Sequence, residues 1–244
     1  MLEVDFHSHT SFSKCGCHTI IEMLTRGREL GMRGMAITDH GPALGCKTPS
    51  PFWDRLHDPV PGIRLLKGME CNVLDETGRI DLPMPLLPYM DIVLLGIHPN
   101  IESGKGIAFY TEMLLAAIKK NPWVDIVTHP NDETYRVDFD AIAAAAAGLD
   151  IVVELNNSKN MLGRVDEAST LHMLEACKNA KCCIAIDSDA HVIGEVGLDD
   201  TAQQFIKRTA FPREYIVNRD AAAAFEFVER RRAVKQRASH PSSS

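Results

Sequence analysis

Leu2-Glu3-Val4-Asp5-Phe6-His7-Ser8-His9 opens the chain as a short apolar run that ends in two histidines one residue apart. The same pattern returns along the sequence. Runs rich in Val, Ile and Leu occupy residues 2–6, 32–38, 63–69, 91–97, 124–128, 151–155 and 182–186. His40, Glu70, His98 and His129 follow the second to fifth runs, at steps from His9 of 31, 30, 28 and 31 residues. Asp187, Asp189 and His191 follow the seventh. Runs that are apolar on both faces fit parallel strands covered by helices, and a step of about 35 residues is one strand plus one helix of a barrel. An open doubly wound sheet has the same local grammar. In either architecture the metal-ligand residue types reach one place, the C-terminal edge of the strands, where such folds carry their active sites.

Helix signals lie between the runs. Thr19-Ile20-Ile21-Glu22 is a capping box, with a stop at Gly31. Asp140 is the expected cap of an alanine-rich helix over 141–147 that ends at Gly148, and further helices are expected near 106–119, 165–180, 201–208 and 219–235. Residues 41–62 hold five prolines with Phe52, Trp53 and His57, and read as a long surface loop; Trp53 is a candidate pocket wall, His57 ordinary surface. Residues 1–235 read as one domain. From Arg230-Arg231-Arg232 the chain is expected to fray into a disordered tail over 236–244, which leaves His240 without a role.

Composition narrows the function. The chain has 244 residues, 45% hydrophobic and 24% charged, an ordinary globular balance. With 26 basic and 33 acidic residues the net charge is −7, which argues against a grip on a nucleic-acid polymer or an anionic membrane. No apolar run approaches the roughly 20 residues of a membrane span, and the N-terminus lacks a signal-peptide pattern. Seven cysteines, at 15, 17, 46, 71, 177, 182 and 183, form no disulfide framework, so a reduced cytoplasmic protein is expected. A homo-oligomer is compatible with all of this.

The local spacings suit coordination. Side chains at i and i+2 share one face of a strand, so His7 and His9 can converge on one ion, and Asp189 and His191 repeat the device if that segment is extended. Asp5 and Asp187 have the parity to accept hydrogen bonds from ligating imidazoles. Six imidazoles with Glu70 and Asp189 exceed the capacity of one ion, so two or three ions per chain are expected. Asn157 and Arg164, after the sixth run, are candidate phosphate donors at the same edge.

Taken together, Asp5-Phe6-His7-Ser8-His9-Thr10, Ile37-Thr38-Asp39-His40-Gly41-Pro42, Gly68-Met69-Glu70, His129-Pro130 and Asp187-Ser188-Asp189-Ala190-His191 resemble the PHP superfamily (polymerase and histidinol phosphatase). Glu154-Leu155-Asn156-Asn157-Ser158 resembles its YcdX-type phosphatases most closely. The resemblance implies an α/β fold, a distorted (β/α)7 TIM-like barrel with three ions, usually zinc, sometimes manganese or iron. It implies His7, His9, Glu70 and Asp189 around one ion, Glu70 with His98 and His129 around a second, and His40 with His191 at a third. One ligand departs from the family pattern: the histidine expected six residues after His9 is Cys15, leaving Cys15 or His18 to complete the third site.

The expected activity is hydrolysis of small phosphate monoesters through a metal-bridging hydroxide, with Glu70 and Asp189 at the catalytic centre. An amidohydrolase-like metal hydrolase and a non-catalytic module of a larger assembly are the competing readings. No lysine at a strand end is available for carbamylation, and the nearly complete ligand set argues against an inert module.

Overall fold

The computed structural model describes residues 1–46 and 48–239; the assignment of no role to His240 lies outside them. Seven strands form one sheet in sequence order: β1 (Val4–Asp5), β2 (Gly34–Ile37), β3 (Arg64–Asn72), β4 (Ile92–Gly96), β5 (Ile126–Val127), β6 (Val152–Asn156) and β7 (Ile184–Asp187). Every neighbouring pair is parallel. Among the described residues eight α-helices accompany them: α1 (Ile20–Glu29), α2 (Ser50–Arg55), α3 (Ile107–Lys120), α4 (Phe139–Gly148), α5 (Asn157–Met161), α6 (Glu167–Ala180), α7 (Asp200–Thr209) and α8 (Ala221–Ser239). Among the described residues no helix is long and apolar enough to cross a membrane.

The sheet curls into a distorted (β/α)7 barrel, nearly closed. Between β7 and β1 there is only an isolated parallel bridge, Ser8 to Ala190. Asn218 fills the seam: its amide donates to the carbonyls of Ile186 (2.6 Å) and Val4 (3.2 Å), and its Oδ1 accepts from Ile186 N–H (3.0 Å). Asp187 and Asp5 tie the same seam, accepting from the backbone N–H of Phe6 (2.9 Å) and Ser188 (3.1 Å) respectively. Neither aspartate takes an imidazole N–H, contrary to the parity argument, because the seam's own backbone donors need partners in an interior without water.

Period two along the strands sorts the interior into layers. Val4, Phe6, Ala36, Leu66, Ile92, Leu94, Ile126, Val152 and Ala185 fill the lower barrel, and Ala224, Phe227 and Val228 of α8 plug it from below. Two or four residues further along the same strand faces stand Glu70, Glu154 and Thr128, at the upper edge.

Several expectations are corrected. The cap of α4 is Asp138, whose side chain accepts from Ala141 N–H, and Asp140 lies in the first turn. Residues 41–62 contain α2, and Trp53 is buried in the core, its indole donating to Thr48, so it does not wall the pocket. The arginine run does not fray. Arg231 is 2% exposed, donates to Asp125 Oδ1 (2.7 Å) and to the carbonyls of Pro122 and Val124, and belongs to a helix that continues through residues 236–239.

Candidate metal centre

Each ligand-type residue is placed by the end of a strand. Glu70 precedes the end of β3 by two residues and pairs across a parallel bridge with His40. His98 and His129 each lie two residues past β4 and β5. Gly96 makes room for the former: a Cβ there would sit 2.6 Å from Thr128 Oγ1 and 2.7 Å from the His98 ring. His129 (φ 30°) and Asp189 (φ 51°) adopt left-handed backbone that is costly for residues with a Cβ, the kind of strain concentrated at functional sites. The segment after β7 is therefore a turn rather than an extended strand, and Asp189 and His191 do not share a face by pleat alternation.

Glu70 is the centre of the arrangement. Its Oε2 lies 3.4 Å from the Nε2 atoms of His7 and His9 and 2.9 Å from His40 Nδ1. Its Oε1 lies 3.1 Å from His98 Nε2 and 3.0 Å from His129 Nε2, and accepts from Thr128 Oγ1 at 3.0 Å. Asp189 Oδ1 is 3.4 Å from His7 Nε2 and 3.2 Å from His9 Nε2.

The partners of the outer ring nitrogens decide what the inner ones present. Glu154, fully buried, accepts from His7 Nδ1 (2.6 Å) and from the backbone N–H of His129 (2.8 Å). Ser13 Oγ donates to Asp39 (2.6 Å) and so can only accept from His9 Nδ1 (3.0 Å). With both Nδ1 atoms protonated, His7 and His9 turn Nε2 lone pairs toward each other at 3.0 Å, beside oxygens of Glu70 and Asp189. Four acceptors facing one another need a cation.

The distances fit one. A tetrahedral ion with bonds of about 2.0–2.1 Å separates its ligand atoms by about 3.3 Å; His7 and His9 lie 3.0 Å apart and each stands 3.2–3.4 Å from an oxygen of Glu70 and of Asp189. The electrostatics express the same demand. Burial opposes charge on His7, yet Glu154, Asp189 and Glu70 hold its imidazolium well above the ordinary range. Burial would also raise Glu70 and Asp189, but the surrounding imidazoles, His98 foremost for Glu70 and His7 for Asp189, hold both well below the carboxylate range.

Cys15 joins this group at the rim. Burial would raise its thiol, but hydrogen bonds to His191 and His40 bring it down to about 6. A cavity of about 420 Å³ opens above, lined by His9, Cys15, His40, Glu70, His98, His129, Asp189 and His191 together with Ser158, Lys159, Leu162, Arg164 and Glu195. His18 is not in the lining, nor is Asn157.

The two substrate candidates part company. Arg164 lines the cavity and has no ion-pair partner among the described residues. Asn157 is buried, and its Oδ1 accepts from the backbone N–H groups of Thr201 (3.1 Å) and Ala202 (3.0 Å), capping α7 from outside. Its position after β6 suggested the pocket, but the free N–H groups of α7 claim it. Asn157→Ala should therefore destabilise the fold by about 1–2 kcal/mol in denaturant melts, the cost of a lost cap, with KM unchanged. A raised KM at unaltered stability would return it to the substrate site.

Sequence reasoning missed Glu154 and Ser13 as partners of the candidate ligands. A carboxylate inside the apolar run Val152-Val153-Glu154-Leu155 was the available signal, since such a charge needs a specific partner. Glu154→Gln keeps the shape and removes the charge behind His7. It should weaken metal binding by about 10–100-fold in competition with a chromophoric chelator, and unchanged affinity would mean that His7 needs no such partner.

Comparison with known proteins agrees with this picture. A probable phosphatase of Caldicellulosiruptor bescii is 30% identical over 231 residues, 93% of this chain and 96% of that one. A probable phosphatase of Shewanella sp. strain ANA-3 is 34% identical over 234 residues, 93% of this chain and 92% of that one. Among solved structures, histidinol phosphate phosphatase from Lactococcus lactis, crystallised with zinc, L-histidinol and phosphate, superposes with a TM-score of 0.61 over 86% of this chain and 94% of that one, at 15% identity. The PHP domain model matches residues 5–198, which run from the end of β1 through β7 and include the candidate ligands, and the chain belongs to the PHP domain family.

Proposed function

We propose that the protein is a metal-dependent phosphatase that hydrolyses small phosphate monoesters at a centre of two or three divalent ions. The observation that carries this reading is the division of Glu70: one oxygen faces His7, His9 and His40, the other faces His98 and His129. A carboxylate placed between two sets of imidazoles is suited to bridge two ions. His7, His9, Glu70 and Asp189 would hold the first, and Glu70, His98 and His129 the second. Zinc suits the imidazole-rich set best, with manganese or iron as alternatives. Bound ions of this kind supply Lewis acidity and a water deprotonated near neutral pH.

The protein's own groups do the rest. Glu154 and Ser13 keep His7 and His9 in the tautomer that presents Nε2. Arg164, the lining cation without a carboxylate partner among the described residues, is suited to orient an anionic oxygen of the ester. Lys159 is held to Asp132 at 2.7 Å, so its charge is already matched. The cavity of about 420 Å³ falls within the roughly 300–1,000 Å³ of small-molecule sites.

The test is elemental analysis of unstripped protein together with a panel of phosphate monoesters, diesters, amides and lactones. Monoester turnover that is abolished by chelation and restored by zinc or manganese is expected. Turnover of amides or lactones alone would favour the amidohydrolase-like chemistry, and metal-loaded protein inert on the whole panel would leave a non-catalytic module.

A further inference from the structure

Cys15 and His191 at the cavity rim extend the Oε2 side of the Glu70 cluster through His9 and His40. Cys15 Sγ, a ring nitrogen of His9 and a ring nitrogen of His40 lie within 4.8 Å of one another. His191 stands over the same point, stacked on His9 with ring centroids 4.4 Å apart. Its Nδ1 lies 2.8 Å from the backbone carbonyl of Asp189, a bond that leaves Nε2 as its donor atom. His40 Nδ1 is sealed from solvent and makes no well-formed hydrogen bond, although it approaches Glu70 Oε2 to 2.9 Å. A buried ring nitrogen without a well-formed hydrogen bond, on an imidazole that also reaches the Cys15 thiol, is an independent mark of a missing ligand partner.

The loop that carries Cys15 is built to aim it. Lys14 takes the left-handed conformation (φ 65°) and turns the chain. Gly16 then lies so close to Thr10 that a Cβ would come within 2.4 Å of its carbonyl oxygen. Cys17 N–H donates to the carbonyl of His191 at 2.9 Å, and Ser11 N–H to that of His18 at 2.8 Å, which fastens both ends of the loop. Cys15 is left in the cavity lining, while Cys17 and His18 stay outside it.

We infer that Cys15 binds as a thiolate, with His40 and His191, to make a rim metal subsite that selects zinc-like thiophilic ions over manganese. The inference rests on the metal-centre reading above and adds to it the chemical class of the ion. Thiolate sulfur is a good ligand for zinc or cobalt and a poor one for manganese, which prefers oxygen. The two inner groups contain only nitrogen and oxygen donors and carry no such bias. The chain would then hold ions of unequal selectivity: oxygen-tolerant at the bottom of the cavity, sulfur-dependent at the rim.

Cobalt reports the bond directly. Apo protein reloaded with Co²⁺ should show a near-ultraviolet sulfur-to-cobalt charge-transfer band, and native mass spectrometry should count one ion more than in Cys15→Ser. The band should vanish in Cys15→Ser, whose thermal melt verifies its fold, and in Cys15→His, which keeps the ion count. Loss of Cys15 should weaken zinc at the rim by at least ~10²-fold, beyond the ~10–100-fold of an outer partner, while manganese binding changes little. Wild-type protein that binds cobalt without the band overturns the inference and leaves the phosphatase reading standing. A band that persists in Cys15→Ser overturns it in favour of Cys17. Protein that binds no divalent ion at all defeats the metal-centre reading together with this one.

Discussion

Glu70→Gln should lower kcat on a phosphate monoester by at least ~10³-fold, beyond the ~10–100-fold of an outer partner, while far-ultraviolet circular dichroism stays unchanged. The carboxylate is 1% exposed and is approached by imidazoles from five different residues. Glutamine keeps the volume and replaces one oxygen by an amide that repels cations, so one of the two ligand sets loses its shared anion. Metal content should fall together with turnover, read by elemental analysis of the same sample. His9→Ala and Asp189→Ala remove ligands of one set only and should cost at least ~10²-fold each. Near-normal turnover in Glu70→Gln with full metal content would place the reacting centre elsewhere in the cavity.

The second large effect lies at the opposite end of the barrel. Asp125, fully buried just before β5, accepts from Arg231 Nε (2.7 Å) and from the backbone N–H of Val93 (2.7 Å), and pairs with Lys235. Both cations belong to α8 and are 2% exposed. Asp125→Ala would remove the buried carboxylate that Arg231 and Lys235 share, with Arg231 keeping a 3.8 Å approach to Asp150, and breaking such a buried pair costs about 3–5 kcal/mol. For a chain of this size that is about 6–20 °C in Tm. Turnover per folded molecule at 25 °C should be unaffected, since Asp125 lies below the apolar plug and away from the cavity. A shift below about 1 kcal/mol, the worth of an exposed ion pair, would mean that water reaches these groups.

The seven strands and the residues at their ends are legible in the chain's local pattern. Runs that are apolar on both faces cannot be satisfied by one covered face alone, and a repeat of about 30 residues leaves room for one helix between them. His7, His9, His40, Glu70, His98, His129 and Asp189 were therefore legible as a set, because strand direction alone carries them to one edge. Contacts between distant segments set what no local pattern holds. Glu154 reaches His7 across 147 residues of chain, so only packing pairs them, and Ser13 meets His9 four residues away because the loop after β1 folds back. The parity of Asp5 and Asp187 was read from their strands, yet the barrel seam needs their oxygens more than the imidazoles do. Asn157 looked like a pocket residue by position and is a helix cap because α7 arrives above it. Arg231 looked like part of a fraying tail, since its partner Asp125 lies 106 residues away. The placement of Cys15 in the cavity lining and of His18 outside it follows the same physics: a loop's direction is set by where its backbone hydrogen bonds end, and those of Ser11 and Cys17 end on His18 and His191.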